Sequence, residues 1–343
     1  MTLILGIESS CDEVAAAVVA DGHRVLSHAL ASQAEDFAQW GGVVPEIAAR
    51  GHVAALPGLV AEALDQAGTD LTAIDAVAVA AWPGLLGSLL CGFTCASMIA
   101  ARCGLPLLTV DHVEAHLAAV HLERDQVPYP LVALVASGGH SHFYRCSAPG
   151  EAELLGGTID DAAGEAFDKA AATLELGYPG GPAIDRRAEH GDPRALDLPR
   201  SLLHHDDLRL SFAGLKTALL YAVRGPRGRD PLRLDEQGIN DACASFQAAV
   251  VDCLAGKLIR AARACGVSTI AVGGGVACNR GLRRRLSEDA TAHGLTLLLP
   301  RPEHCADNAA MIAALGHRHL RAGRIAPPHC TPLPTGAAGP RRR

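Results

Sequence analysis

His112 and His116 stand four apart in the stretch DHVEAHL (111–117). Residues four apart on an α-helix differ by only about 40° in direction, so both imidazoles can converge on one ion. The HExxH helix of zinc peptidases needs its general-base Glu directly after the first His, and here Val113 stands in that place. Glu114 lies about 200° around the helix from His112, turned away from an ion the two histidines share. The pair therefore reads as a metal site for other chemistry, or as two surface histidines in a chain that holds 16. Asp307, in RPEHCADNAAMIA (301–313), is either the missing ligand or simply the N-cap of an Ala-rich helix.

Glycine turns offer a second chemistry. LILGIESSCDEVAAAVVADG (3–22) and LVALVASGGHSHFYRC (131–146) each run an apolar strand into a small polar turn and out along a second strand. TIAVGGGVACNRGLRRRL (269–286) runs a buried-type strand into a basic helix. Small side chains at such turns leave backbone N–H groups uncovered, and these form anion-binding concavities. Ser9, Ser10, Cys11 and Asp12 are the phosphate candidates of the first turn, and 137–141 form the second. Together the three turns can hold a phosphate chain between two lobes; singly they would only serve positive-φ positions. No GxxxxGK[ST], GxGxxG or GxSxG occurs, so the P-loop, dinucleotide and nucleophile-elbow readings fall away.

In IDDAAGEAFDKAA (159–171), Asp161, Glu165 and Asp168 share one helical face, as a solvated stripe or as a site wall. Gly164 costs such a helix about 1 kcal/mol relative to Ala, which points to a close backbone approach. YPGGPAID (178–185) is a turn able to bring Gly180, Gly181 and Asp185 to the same cleft.

Positioning such residues takes strands and helices. The two strand–turn–strand regions look like an internal duplication, and Ala/Leu-rich segments of helical period, such as 52–68 and 241–266, lie between the turns. Strands alternating with helices give an α/β class. A chain of 343 residues, 49% hydrophobic and 20% charged, can build a sizeable core and divides into about two lobes. The opening MTLILGIESSCDE is neither a signal nor a transit sequence, and no charge-free apolar stretch reaches the roughly 18 residues of a membrane span, so a soluble, cytoplasmic protein with no membrane partner is expected. Eleven cysteines without CxxC pairs suit a reducing compartment. A net charge of −7 argues against a generic nucleic-acid coat. Any nucleic acid must meet a local basic patch, for which Arg186, Arg187, Arg280, Arg283, Arg284 and Arg285 are candidates, unless they form an ordinary solvated face.

In order and approximate spacing, GIESSCDE, GGVVPEIAARGH, WPGLLGSLL, DHVEAHL, ASGGHSH, IDDAAGEAFDKAA, YPGGP, LSFAGLKTA, AVGGGVACNR and CADNAAMIA resemble the TsaD family over nearly all of residues 3–323. These are tRNA N6-adenosine threonylcarbamoyltransferases, once called O-sialoglycoprotein endopeptidases. The resemblance implies an actin-like ATPase fold of the ASKHA (hexokinase/Hsp70) clan, two duplicated RNase H-like lobes around a nucleotide cleft. The expected divisions are 1–111, 112–325 and a disordered Pro-rich tail over 326–343, with a last helix at about 307–322 able to return to the first lobe.

The implied reaction passes the threonylcarbamoyl group of threonylcarbamoyl-AMP to N6 of the adenosine just 3′ of the anticodon, in tRNAs reading ANN codons. Carried over by position, His112, His116 and Asp307 match the family's metal ligands, with Fe2+ the usual ion and Zn2+ the alternative. Val135, Ala136, Ser137, Gly138 and Gly139 match its substrate turn, and Asp168, Gly181, Asp185 and Asn279 its nucleotide and substrate contacts. Asp111 stands where many bacterial members have another His, and Val135 where archaeal and eukaryotic relatives bring a Tyr, so the fourth ligand falls to substrate or water. The family also implies an inactive paralogue (TsaB-like), a small ATPase (TsaE-like), an upstream threonylcarbamoyl-AMP synthase (TsaC-like), and leaves room for ATP or ADP. The rival readings are an O-carbamoyltransferase of the same fold acting on a small molecule and a nucleotide-gated chaperone or regulatory ATPase.

Overall fold

A computed structural model describes residues 1–33, 37, 40, 42–124 and 126–336. The chain forms two units, Met1–Val127 with Glu303–Arg343, and Pro128–Pro302. In the first, β1 (Leu3–Glu8), β2 (Glu13–Ala20) and β3 (Arg24–Ser32) form an antiparallel meander. There follow α1 (Pro45–Gln66), β4 (Ala76–Trp82), α2 (Leu86–Cys103), β5 (Leu107–Asp111) and α3 (His112–Ala118). β4 and β5 add in parallel, giving the sheet order β3-β2-β1-β4-β5.

The second unit contains β6 (Leu131–Ala136), β7 (Ser141–Ala148), β8 (Glu151–Gly157), α4 (Ala163–Thr173), α5 (Gly180–Ala188), α6 (Ala213–Arg224), α7 (Glu236–Cys265), β9 (Thr269–Gly273), α8 (Arg280–His293) and β10 (Thr296–Leu298). Its sheet order is β10-β9-β6-β7-β8, with β6–β7 and β7–β8 antiparallel and β6–β9 and β9–β10 parallel. Read outward from the meander, order and strand senses repeat those of the first unit, which is the expected duplication.

The chain then returns to the first unit as α9 (Ala309–Arg321). One face of the first sheet is covered by α1 and α2, where Leu5, Ile7, Val18 and Val77 meet Leu56, Ala63, Phe93 and Ala96. The other is covered by α9 and α3, where Ile4, Val19, Ala78 and Val110 meet Ala115, Ala118, Met311 and Ile312. α9 lies against the sheet because Gly6 has no side chain: a Cβ there would meet the Ala309 carbonyl and lie 2.9 Å from the Ala313 Cβ. That close approach sets Asp307, two residues before α9, over the start of α3.

The boundary expected after residue 111 falls inside the first unit. α3 is not the start of the second lobe, because Ala115 and Ala118 are core residues of the first sheet. Of the tail expected over 326–343, residues 337–343 lie outside the described residues. The rest is laid along the first unit, with the N–H groups of Ala326, Leu333 and Thr335 donating to the carbonyls of Leu107, Ala81 and Gly84 at 2.8–2.9 Å. Pro-rich composition hid those few donors. Two helices, α2 and α7, carry 18-residue windows apolar enough to cross a membrane, contrary to the expectation about run length; the α7 window is 83% buried as a core helix, the α2 window 28%.

Candidate functional site

β5 ends where the Asp111 side chain turns back to accept the N–H groups of Val113 (2.8 Å) and Glu114 (3.1 Å). This N-cap starts α3, a helix of only seven residues whose buried face carries both His112 and His116. The stability of so short a helix comes from packing against α9. On the α9 side the cap is Asn308, whose Oδ1 accepts the Met311 N–H at 2.9 Å. Asp307 is thus not the cap, and its carboxylate turns to the histidines.

Asp307 Oδ1 lies 3.4 Å from His112 Nε2 and 3.2 Å from His116 Nε2. One ligand atom from each of the three residues falls within 4.8 Å of the others. The donor set fits a divalent transition metal: two neutral imidazoles and one carboxylate suit iron or zinc and leave open positions. His116 carries the clearest mark: it is fully buried, its Nδ1 has no hydrogen-bond partner among the described residues, and its Nε2 faces the Asp307 carboxylate at 3.2 Å without hydrogen-bond geometry. A buried polar group left without a partner costs roughly 1–3 kcal/mol, a cost that an ion held on Nε2 would offset.

Behind His112 sits Glu8, fully buried at the end of β1. Its Oε2 lies 3.1 Å from His112 Nδ1, while Oε1 accepts the Ser10 N–H at 2.6 Å; Ser10 Oγ is also 3.1 Å from Nδ1. A carboxylate on Nδ1 fixes the tautomer that presents Nε2 to a metal. Burial alone would lower the His112 pKa, but the carboxylates of Asp307 and Glu8 outweigh it and push it up to about 10. The site thus has a strong appetite for positive charge. Nothing in the histidine spacing pointed to Glu8; the available signal was a carboxylate closing the otherwise apolar strand LILGIE.

The rest of the first turn is tied inward. Ser9 Oγ donates to the Ser88 carbonyl (2.8 Å) and accepts the Gly92 N–H (3.1 Å), and the Ser10 carbonyl accepts the Leu85 N–H (2.8 Å). The Cys11 carbonyl is 2.9 Å from His52 Nε2. Burial, with Asp12 and Asp307 nearby, pushes the Cys11 thiol far above the ordinary thiol range. Asp12 follows in the link to β2.

In the second unit, Val135 and Ala136 end β6, and Ser137, Gly138 and Gly139 form the turn to β7, closed by Ser137 N–H donating to the His140 carbonyl at 2.7 Å. Gly164, at the start of α4, donates its N–H to the Ser137 carbonyl at 3.1 Å, and a Cβ there would lie 2.7 Å from that oxygen and 2.8 Å from Gly138. This is the close approach the helix-internal glycine predicted. Gly274, at φ +90°, leaves no room for a Cβ beside the Ala136 carbonyl, so the third turn nests against the second.

Around these contacts, beyond the glycines' own chain neighbours and helix backbone, no heavy atom of the described residues comes within 4 Å of where a Cβ would stand on Gly138, Gly139, Gly181 or Gly275. Asp168 Oδ1 accepts the Gly180 N–H at 2.8 Å and so ties α4 to α5. Asp185, on α5, is held by Arg280, whose backbone N–H (3.1 Å) and Nε (2.7 Å) donate to its two oxygens. Asn279 caps α8 by accepting the Leu282 N–H (2.8 Å), and its Nδ2 donates to Gln247 (2.6 Å). Of the acidic face expected on α4, Asp161 instead pairs with Lys169 and Lys216, and Glu165 with Lys169.

Most arginines expected to meet nucleic acid are engaged internally: Arg280 by Asp185 and Glu189, Arg283 by the Ala277 and Pro300 carbonyls, Arg285 by Asp252 and Asp289, and Arg187 by Glu236. Arg186 and Arg284 remain exposed.

Residues 24–314 match the family model described as tRNA N6-adenosine threonylcarbamoyltransferase, TsaD. The chain belongs to the TsaD family. A relative named tRNA N6-adenosine threonylcarbamoyltransferase, from Geobacter sulfurreducens, is 51% identical over 324 residues, covering 94% of this chain and 93% of its own. Among solved structures, component A of the (R)-2-hydroxyglutaryl-CoA dehydratase of Acidaminococcus fermentans aligns with a TM-score of 0.53 at 15% identity, over 94% of this chain and 100% of that one. A ROK-family glucokinase from Streptomyces griseus, solved with glucose and AMPPNP, aligns at 0.50 and 15% identity, over 92% and 99%. The TsaD chain therefore has the actin-like ATPase fold, and the repeated sheet topology is its duplication.

Proposed function

We propose that this chain transfers the threonylcarbamoyl group from threonylcarbamoyl-AMP to N6 of the adenosine just 3′ of the anticodon in tRNAs reading ANN codons, releasing AMP. Family membership supplies the activity, and the observation that supports its chemistry in this chain is the buried convergence of His112, His116 and Asp307, with Glu8 behind. His112, His116 and Asp307 would hold a divalent metal, Fe2+ before Zn2+; when bound it supplies a Lewis acid for the acyl-adenylate, worth on the order of several kcal/mol.

The residues of this chain bind and orient. Gly138 and Gly139, with Gly181, offer uncovered backbone beside open space, suited to the phosphate and acyl parts of the adenylate, and Val135, Ala136 and Ser137 are the buried strand end and turn residue that hold this backbone in place. Asp168, Asp185 and Asn279 supply the polar contacts around it, already fixed by Gly180, Arg280 and Gln247. Ser9, Ser10, Cys11 and Asp12 are assigned to the phosphate side of the first turn, with Ser10 bridging to His112. ATP or ADP would occupy the same nucleotide-binding turns. No covalent nucleophile is needed: burial pushes the thiols of Cys146 and Cys243 up to about 12 and that of Cys253 up to about 11, all protonated at neutral pH.

The partners assigned are tRNA, a TsaB-like paralogue, a TsaE-like ATPase and a TsaC-like synthase making the adenylate, in the cytoplasm and without a membrane. The paralogue reading is supported by exposed apolar side chains on α2, with Leu86 46%, Leu90 45% and Met98 64% exposed, the first two one helical turn apart. Nucleoside mass spectrometry of tRNA after depletion of this protein tests the activity. Loss of threonylcarbamoyladenosine is expected, and an unchanged level would refute the reading.

A further inference from the structure

A basic region lies in the first unit, outside every motif quoted above. After Asp307 the sequence contains no Asp or Glu at all. α9 closes on His317, Arg318, His319 and Arg321, and Arg324 follows. Two other segments meet that end. The ring of His317 occupies the space a Cβ on Gly22 would need, which seats the β2–β3 turn against α9. The loop after α3 is tied to the same turn, since Glu123 N–H donates to the His23 carbonyl (2.8 Å) and Glu123 Oε1 accepts the Val25 N–H (3.0 Å). Arg24 and Arg124 thereby join Arg318, Arg321 and Arg324.

The carboxylates at this end, Asp21 and Glu123, are both engaged by backbone donors, Asp21 by the Thr2 N–H at 2.8 Å. Neighbouring histidines register the excess of positive charge. Burial, then Arg318 and Arg124, hold His121 down to about 3, and burial with Arg321 or with Arg324 lowers His317 and His319. Arg321 and Arg324 are exposed and make no ion pair among the described residues. The contrast with α8, where Arg280 and Arg285 are paired with carboxylates of their own unit and Arg283 is held by carbonyls, is what selects this end.

We propose that this end of the first unit is the surface on which the stem of the RNA substrate rests through its phosphates. The proposal rests on the tRNA reading above. α9 has 13 residues, so about 20 Å separate its basic end from Asp307. A nucleic-acid duplex presents on the order of ten phosphates over that length. Ala309–Gly316 are buried against the sheet, so the phosphate contacts are those of the basic end alone, and a stem anchored there can reach back over that distance and keep its loop, with the reacting adenosine, near the metal residues. These contacts carry no base information; they set affinity and orientation.

The test uses the full chain with its paralogous subunit and an unmodified tRNA transcript carrying the target adenosine, with binding measured across a salt series. The double variant R321E/R324E is expected to weaken binding at least about tenfold and to flatten the slope of log affinity against log salt by about 2, at unchanged melting temperature and metal content. Arg284→Glu on α8 serves as comparator. Wild-type affinity and slope in R321E/R324E, or a larger loss in Arg284→Glu, would overturn the proposal. If binding depends on Arg321 and Arg324 but the wild-type assembly, given threonylcarbamoyl-AMP, modifies no tRNA, the surface stands and the transfer reading falls.

Discussion

The turn after β1 and the turn after β6 occupy the same place in two sheets of the same order and strand sense, yet they are built in opposite ways. In the first, side chains fill the turn and are spent on it. Glu8 and Ser10 face His112, and Ser9 clamps the start of α2 through Ser88 and Gly92. In the second, Gly138 and Gly139 leave the backbone bare, with nothing within 4 Å of where their side chains would begin. Duplication copied the scaffold, and the two copies then diverged at one turn. One backs the histidines of the proposed metal site, and the other leaves its backbone uncovered.

Breaking the first copy should have the largest effect. His116→Ala removes one of three ligands and leaves a cavity where no hydrogen bond stood, so the fold survives while bound metal and transfer activity are lost. If the ion contributes about 4 kcal/mol, activity falls on the order of 1,000-fold. Metal analysis beside an activity assay checks this, and full metal content with full activity would sink the metal-centre reading. Glu8→Gln keeps shape but removes the charge that fixes the His112 tautomer. Metal affinity should drop roughly 10–100-fold, with a smaller change in Tm. A metal titration that does not distinguish the variant from wild type would mean that Glu8 is only a buried strand end.

The second copy breaks differently. Gly138→Ala meets open space and should leave Tm unchanged while raising KM for the adenylate about tenfold. Gly164→Ala, by contrast, puts a Cβ 2.7 Å from the Ser137 carbonyl and should destabilise by about 1–3 kcal/mol. Thermal melts and steady-state kinetics on the pair separate a ligand surface from a packing contact; equal Tm losses would show that Gly138 is packing too.

How legible these regions were depended on range. The duplication could be read because each copy lies within about twenty residues of sequence, and the histidine pair because four residues make one helical turn. Asp307 stayed open between ligand and helix cap until the family likeness matched it to the metal ligands, since 191 positions separate it from His116. Glu8 and His112 meet across 104 positions, and the grip of Arg280 on Asp185 spans 95; no local pattern encodes either. The arginines of α8 looked like a nucleic-acid face because a basic run is visible and its distant carboxylates are not. The basic end of α9 went unread although HRHLRAGR (317–324) is itself basic, because Arg24 and Arg124, which join it, come from two distant segments. The α3 boundary was misplaced because the duplication suggests a lobe beginning after β5, whereas α3 is held by the returning α9.

The smallest expected effect separates two roles at one residue of the second unit. Asn279 caps α8 through Oδ1 and donates through Nδ2 to Gln247. Serine keeps a capping oxygen but has no amide, so Asn279→Ser should hold Tm close to wild type, while Asn279→Ala loses the cap and about 1 kcal/mol. If Asn279 also contacts the adenylate, both variants raise KM by a similar few-fold factor although only one is less stable. A KM change that follows stability, present in Asn279→Ala and absent in Asn279→Ser, would assign the residue wholly to the helix. Ligand recognition in the second unit would then rest on bare backbone, which is what the open turn at Gly138 and Gly139 already supplies.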